Sequence, residues 1–75
     1  ERYEEAVACY LKALELNPGY SWTYYQLGCT YAKLKDYAAA MAMYERLLEL
    51  DRWRANQLIN FLIKAKQDDF ADALE

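Results

Sequence analysis

Apolar and polar residues alternate in steps of three and four from the start of the chain. Tyr3, Ala6, Val7, Tyr10 and Leu14 fall on one stripe, the pattern of an amphipathic helix. Asn17-Pro18-Gly19 stops it, because proline disfavours αR at the residue before it and glycine tolerates positive φ. The rhythm resumes near Ser21, the expected N-cap, and a second helix runs to about Leu34. Lys35-Asp36 forms the next turn, and Asp36 caps a third helix that ends near Leu50. Asp51 caps a fourth, from about Trp53 to Gln67, and Asp68-Asp69 opens a short last turn or helix. Links of two to four residues put consecutive helices antiparallel. Each helix is too short to stand alone, so packing between them must supply the stability.

The pattern also repeats. Shifting Tyr3–Leu16 by 34 positions onto Tyr37–Leu50 gives seven identical residues in fourteen, where about one is expected by chance. Tyr3/Tyr37, Ala6/Ala40, Ala8/Ala42, Tyr10/Tyr44, Leu14/Leu48, Glu15/Glu49 and Leu16/Leu50 are the matches. A period of this length belongs to a two-helix repeat.

Gly28 breaks the propensity of the second helix, at a cost of about 1 kcal/mol relative to alanine. Helix axes pack ~8–10 Å apart according to the side chains between them. A glycine facing Ala40 brings the second and third helices to the close end of that range. Tyr24, Tyr31, Tyr37 and Tyr44 then fill the flanks of the crossing. The expected core holds Ala6, Tyr10, Leu27, Gly28, Tyr31, Ala40, Tyr44 and Leu48.

These residues resemble the tetratricopeptide repeat. Against that pattern, residues 21–54 look like one complete repeat. Tyr24 stands where tryptophan is usual, Leu27-Gly28 and Tyr31 match the first helix, and Tyr37, Ala40 and Tyr44 match the second. Residues 1–20 look like the second helix of an incomplete repeat, with Ala6, Ala13 and the closing Pro18 in place. Residues 55–75 form a divergent third repeat or a single capping helix. Arg52 replaces the closing proline, which predicts a joint without a sharp break between the third and fourth helices. Leu47 replaces a small residue and is expected to push the next helix outward. The resemblance implies an all-α fold in which antiparallel helix-turn-helix repeats stack as a right-handed α-solenoid.

By the same resemblance, the first helix of each repeat lines a concave face that binds an extended peptide or a partner's helix. Trp22, Tyr25, Gln26, Cys29 and Lys33 occupy its positions in the complete repeat. Asn56, Ile59, Asn60 and Ile63 occupy them in the divergent one. Relatives that hold the C-terminal carboxylate of cytosolic chaperones place basic and amide residues at the second, fifth, sixth and ninth positions. Here only Asn60 fits such a clamp and no lysine or arginine is supplied, so a carboxylate clamp is not expected.

Composition narrows the rest. The chain has 75 residues, 56% hydrophobic and 16% aromatic, and is not that of a disordered segment. No apolar run reaches the roughly 20 residues of a membrane span. The net charge of −3 argues against nucleic acid, which needs a basic face. Histidine is absent, so the commonest general base and metal ligand is missing, and Ser21 has no base beside it. Glu4/Glu5 and Asp68/Asp69 read as surface charge and capping. Cys9 and Cys29 share no metal-ligand spacing and read as buried reduced thiols. No signal peptide is visible, and the expected location is intracellular, in the cytoplasm.

No enzymatic activity, metal or cofactor is expected. The function expected is a protein–protein interaction module that binds a protein or peptide, without nucleic acid or membrane. The alternative is a structural solenoid segment or self-association element with no peptide groove. The chain opens on ERYEEA in helical rhythm and without Met, as a segment of a longer array would. The first helix then lacks an antiparallel partner of its own, so Glu1–Leu16 is expected to contact the parent array, a second copy or a bound helix.

Overall fold

A computed structural model describes residues 2–74, apart from the side chain of Leu74. Every regular element among them is an α-helix: α1 (Tyr3–Leu16), α2 (Ser21–Lys33), α3 (Tyr37–Leu50) and α4 (Arg52–Leu74). α2 is the hub, lying against α1, α3 and α4, while α3 also meets α4 and α1 has α2 as its sole close neighbour. Tyr10 meets Trp22 and Tyr3 lies under Lys33, so α1 runs antiparallel to α2. Ser21 meets Asp51 and Lys35 meets Asp69, so α4 runs parallel to α2.

The turns follow from local chemistry. After α2 the amide of Lys35 bonds the carbonyl of Ala32, and that of Asp36 bonds Tyr31. This is a Schellman arrangement. Its left-handed residue is Lys35, at φ 65°, where a glycine is usual. The Pro18-Gly19 turn needs no such residue, since no glycine has positive φ. That turn is pinned by the Tyr24 hydroxyl, which donates to the Pro18 carbonyl at 3.0 Å. Asp36 caps α3 as expected, accepting from the Ala39 amide.

The joint between α3 and α4 is sharper than the missing proline suggested. Asp51 alone links them, with extended backbone at φ −163° and ψ 95°. Its amide closes α3 on the Leu47 carbonyl, and its carboxylate caps α4 at the Arg54 amide. The same carboxylate accepts from the Ser21 hydroxyl at 3.3 Å and faces the Arg54 guanidinium at 3.4 Å. Ser21 is therefore not a cap. It is the first residue of α2, whose N-cap is Tyr20, and its hydroxyl ties α2 to the α3–α4 joint.

α4 does not stop at Asp68-Asp69. It continues as one 23-residue helix to Leu74, so the short last turn is absent. Asp68 pairs with Lys64 one turn back. Asp69 is no idle surface charge: it meets the Lys35 ammonium at 2.6 Å and accepts from the Tyr37 hydroxyl at 2.8 Å. Lys66, one turn earlier, lies over the Tyr37 ring at 5.3 Å. The polar groups at Asp51 and Asp69 thus fasten α4 to the start of α2 and to the α2–α3 turn.

The core between these fasteners is Tyr24, Leu27, Ala32, Ala40, Leu47, Ala55, Leu58 and Leu62. Three of these eight come from α4, so the last helix is a full partner in the core. Leu47, which stands where a small residue is usual, is fully buried within the core. Tyr31, Tyr44 and Leu48 are only half-buried, as are Ala6 and Tyr10 of α1, a helix with no buried residue. Cys9 on that helix is exposed and Cys29 half-buried, and both are free thiols.

Gly28 is buried as expected, and the atoms nearest to a β-carbon placed there belong to Leu58 of α4. A β-carbon at Gly28 would stand 2.5 and 2.7 Å from the Leu58 methyls and 3.1 Å from its Cγ. The glycine is the seat for a leucine of α4. Leu58 is itself fully buried, so its branch has no open space into which to turn.

Two predictions follow from these contacts. Gly28→Ala gains helix propensity of about 1 kcal/mol but overpacks Leu58 by about 2 kcal/mol, so a net loss near 1 kcal/mol is expected. Leu58→Ala alone should cost about 2–5 kcal/mol. In that background Gly28→Ala should become stabilising. Thermal unfolding of the four proteins gives the coupling, and equal effects of Gly28→Ala in both backgrounds would rule out the seat.

The second concerns the Asp69 fastener. Hydrogen bonding from Lys35, and then from Tyr37, holds the Asp69 carboxyl below its ordinary range. The Lys35 ammonium is held above its own by the hydrogen bond to Asp69. Burial, then Asp69, raises the Tyr37 phenol. A depressed carboxyl contributes stability that is complete above about pH 4 and lost as pH falls through its lowered value. The raised lysine and tyrosine contribute stability complete below about pH 10 and lost as pH rises through their raised values. Wild type should therefore exceed Asp69→Asn in melting temperature at neutral pH, with the gap closing in strong acid. A gap constant from neutral to strong acid would remove Asp69 from this role.

Candidate functional site

Three helices pack on α2 and leave one strip of it partly exposed. Trp22, Gln26, Cys29 and Lys33 recur in steps of four, three and four along that strip, with Tyr25 on its α4 border. Trp22 is 38% exposed, Lys33 is exposed, and Tyr25, Gln26 and Cys29 are half-buried. The structure thus brings all five α2 candidates onto one surface. The opposite sides of α2 are shut: Thr23, Tyr24, Leu27, Gly28, Thr30 and Ala32 are buried. Thr30 is satisfied there by donating to the Gln26 carbonyl at 2.8 Å.

Both ends of the strip lean on α1. The Tyr10 ring meets Trp22 edge-on at 6.1 Å, and Tyr20 stacks at a tilt on its other side at 6.2 Å. The Lys33 ammonium lies 5.6 Å above the Tyr3 ring. These contacts hold Trp22 and Lys33 in place at the price of some of their open area. Tyr25 and Cys29 instead pack toward the core.

The strip offers weak chemistry. Burial is the main reason the Cys29 thiol sits above its ordinary pKa, with the Tyr25 hydroxyl and Lys33 pulling partly back. Such a thiol stays protonated at neutral pH and is a poor nucleophile. The Tyr25 phenol is also raised, first by burial and then by Cys29, with Arg54 opposing. Among the described residues no group of three or more His, Cys, Asp or Glu side chains is arranged to hold a metal ion, and no enclosed pocket is present. The surface has what recognition needs: rigid aromatic area, an amide and one cation, without a carboxylate.

The α4 candidates lie elsewhere. Ile59, Ile63, Lys66 and Phe70 follow one another in steps of four, three and four. Lys66 on that stripe lies over Tyr37 of α3, so the stripe borders α3. Arg54 and Leu58, which reach Tyr25 and Gly28, mark the border with α2. Asn56 and Asn60 are exposed and point farther from both neighbours. Tyr25 of the α2 set thus lies toward α4, and Lys66, on the stripe of Ile59 and Ile63, lies toward α3. Leu58, Leu62 and Ala55 turn the apolar side of α4 inward, and this rotation carries Ile59 and Ile63 to the α3 side. An alignment by period alone contains no sign of it. The buried positions 55, 58 and 62, in steps of three and four, were the available signal.

Residues 1–35 match a model of the TPR repeat, and residues 23–52 match a model of the tetratricopeptide repeat. Repeat motifs of this type thus run across residues 1–52. No curated protein and no solved structure matches the chain. The all-helical order and the repeat motifs are consistent with a helical-repeat scaffold, and no helix among the described residues is long and apolar enough to cross a membrane.

The two thiols should differ in reactivity. Alkylation at neutral pH, followed by mass spectrometry, should modify exposed Cys9 well before Cys29. Faster labelling of Cys29 in the folded protein would contradict its burial and its raised pKa.

Proposed function

We propose that this chain is a segment of a tetratricopeptide-repeat array that serves as a protein–protein interaction scaffold, without enzymatic activity. On this reading residues 21–54 are one complete repeat, residues 1–20 are the second helix of the repeat before it, and residues 55–75 are a divergent or capping third repeat. The observation that carries the reading is the open strip of α2, aromatic and free of carboxylates on a chain of net charge −3. The repeat motifs over residues 1–52 support the class.

The ligand of this strip is an extended peptide or one face of a partner's helix. Trp22 and Tyr25 supply apolar area, Gln26 bonds a peptide group, and Lys33 offers the one cation. Contact of this kind depends weakly on salt, since few charges are paired. Neither strip residue pattern nor the α4 amides make a clamp for a terminal carboxylate.

A second reading has its own observation. The Tyr10–Trp22 contact lets Trp22 serve the α1–α2 junction, which is what a structural segment without a groove requires.

A peptide array followed by fluorescence titration separates the two. Trp22→Ala and Tyr25→Ala should each weaken a captured peptide about tenfold or more, in the range of interface hot spots, while Glu45→Gln on α3 should leave binding unchanged. Binding that requires a free C-terminal carboxylate would overturn this assignment. So would affinity that survives both aromatic substitutions.

A further inference from the structure

One stretch of sequence occurs twice in this chain, in two different conformations. Ala32-Lys33-Leu34-Lys35-Asp36-Tyr37-Ala38-Ala39-Ala40 and Ala65-Lys66-Gln67-Asp68-Asp69-Phe70-Ala71-Asp72-Ala73 share five identical residues in nine, and Tyr37 and Phe70 are both aromatic. The first copy ends α2, turns and starts α3. The second runs straight along α4. In the first, Lys35 takes the left-handed conformation, and the Asp36 carboxylate caps α3 by accepting from the Ala39 amide. The second has Asp68 at the left-handed position, and aspartate tolerates it better than lysine does. It has Asp69 at the cap position. The chemistry of a helix–turn–helix is thus present near the end of α4 and unused there.

The straight form leaves exposed what the turned form buries. Thr30 is 8% exposed and its counterpart Ile63 50%. Tyr37 is half-buried and Phe70 66% exposed, while Ala40 is fully buried and Ala73 exposed. Beyond Ala65, Asp69 is the one described side chain of α4 that is not exposed. Polar contacts hold this end. The Asp69 carboxylate takes the Lys35 ammonium and the Tyr37 hydroxyl, Lys66 lies over the Tyr37 ring, and Asp68 pairs with Lys64 at 3.8 Å. With so little apolar burial, the segment belongs to the part of a fold that opens most easily.

We propose that the end of α4 is a conformational switch in which Asp69 has two exclusive uses. In one it latches a straight helix to the α2–α3 turn. In the other it is the N-cap of a segment that turns back at Asp68. The turn moves the Asp69 carboxylate onto the Asp72 amide, as Asp36 sits on Ala39, and withdraws it from Lys35 and Tyr37. The latch selects the straight form, because the nine-residue stretch itself is compatible with both. Turning frees the Lys35 ammonium and the Tyr37 hydroxyl and moves Phe70, so it changes the surface offered at this end. The switch does not depend on what the α2 strip binds.

Backbone NMR of the 75-residue chain tests this, since carbon shifts distinguish helical from left-handed backbone at each residue. Wild type should be helical through Asp68. Lys35→Met with Tyr37→Phe removes the latch, and Asp68→Gly lowers helix propensity while accepting positive φ. The three changes together should move residue 68 to the left-handed region and slow exchange of the Asp72 amide about fivefold, the weight of an ordinary cap. In that background Asp69→Asn, an equally good cap, should keep the turn, and Asp69→Ala should abolish it. Unchanged shifts in α1 and at Leu27, Leu47 and Leu58 verify that each variant keeps the fold. A helix that stays straight through residue 68 in the triple variant would overturn the proposal. So would an unstructured end that neither Asp69→Asn nor Asp69→Ala alters, which would show simple fraying.

Discussion

The contact between Gly28 and Leu58 determines how the last helix is used. Without a side chain at Gly28, α4 lies against α2 closely enough for the Leu58 branch to fill the space where a β-carbon would stand. The glycine costs α2 about 1 kcal/mol of helix propensity. Burial of Leu58 offsets that by about 1.5–3 kcal/mol. The balance is favourable only because Leu58 is fully buried. An exposed leucine at that position would leave the glycine as an uncompensated weak point.

Once Leu58 is seated, the rotation of α4 about its own axis is set. Ala55 and Leu62 lie on the same stripe and are buried with it. Asp51 and Asp69 then fall where the start of α2 and the α2–α3 turn can be met, and each carboxylate has several partners there. Aspartates so placed do more than cap a helix: they fix the register of α4 against α2. The sharp one-residue joint at Asp51 has the same origin, since the chain must turn within one residue for α4 to return along α3.

Seating of α4 also determines which surfaces stay open. α2, enclosed by three helices, keeps one strip of aromatic, amide and cationic groups. The raised thiol of Cys29 removes the most reactive group there, and the absence of histidine removes the most versatile one. What remains suits recognition by shape and apolar contact. Ile59 and Ile63 share the stripe of α4 from which Lys66 reaches Tyr37 of α3.

Helix positions, the Asp36 and Asp51 caps, the repeat period and the burial of Leu27, Gly28 and Ala40 were all legible in the sequence. Each depends on local periodicity or local hydrogen bonding, and such signals survive without knowledge of the partner. That Trp22, Gln26, Cys29 and Lys33 share one side of α2 was legible for the same reason, since they recur at helical spacing. The closeness of Leu58 to Gly28 was not legible, because Leu58 lies thirty residues further along the chain and only packing brings the two together. Nor was the unbroken passage of α4 through Asp68-Asp69, where carboxylates that resemble a cap find Lys35, Tyr37 and Lys64 instead. The sequence by itself determined what each helix can bury. The tertiary structure decided what it buries against, because the rotation of a helix about its axis depends on the side chains of its neighbours.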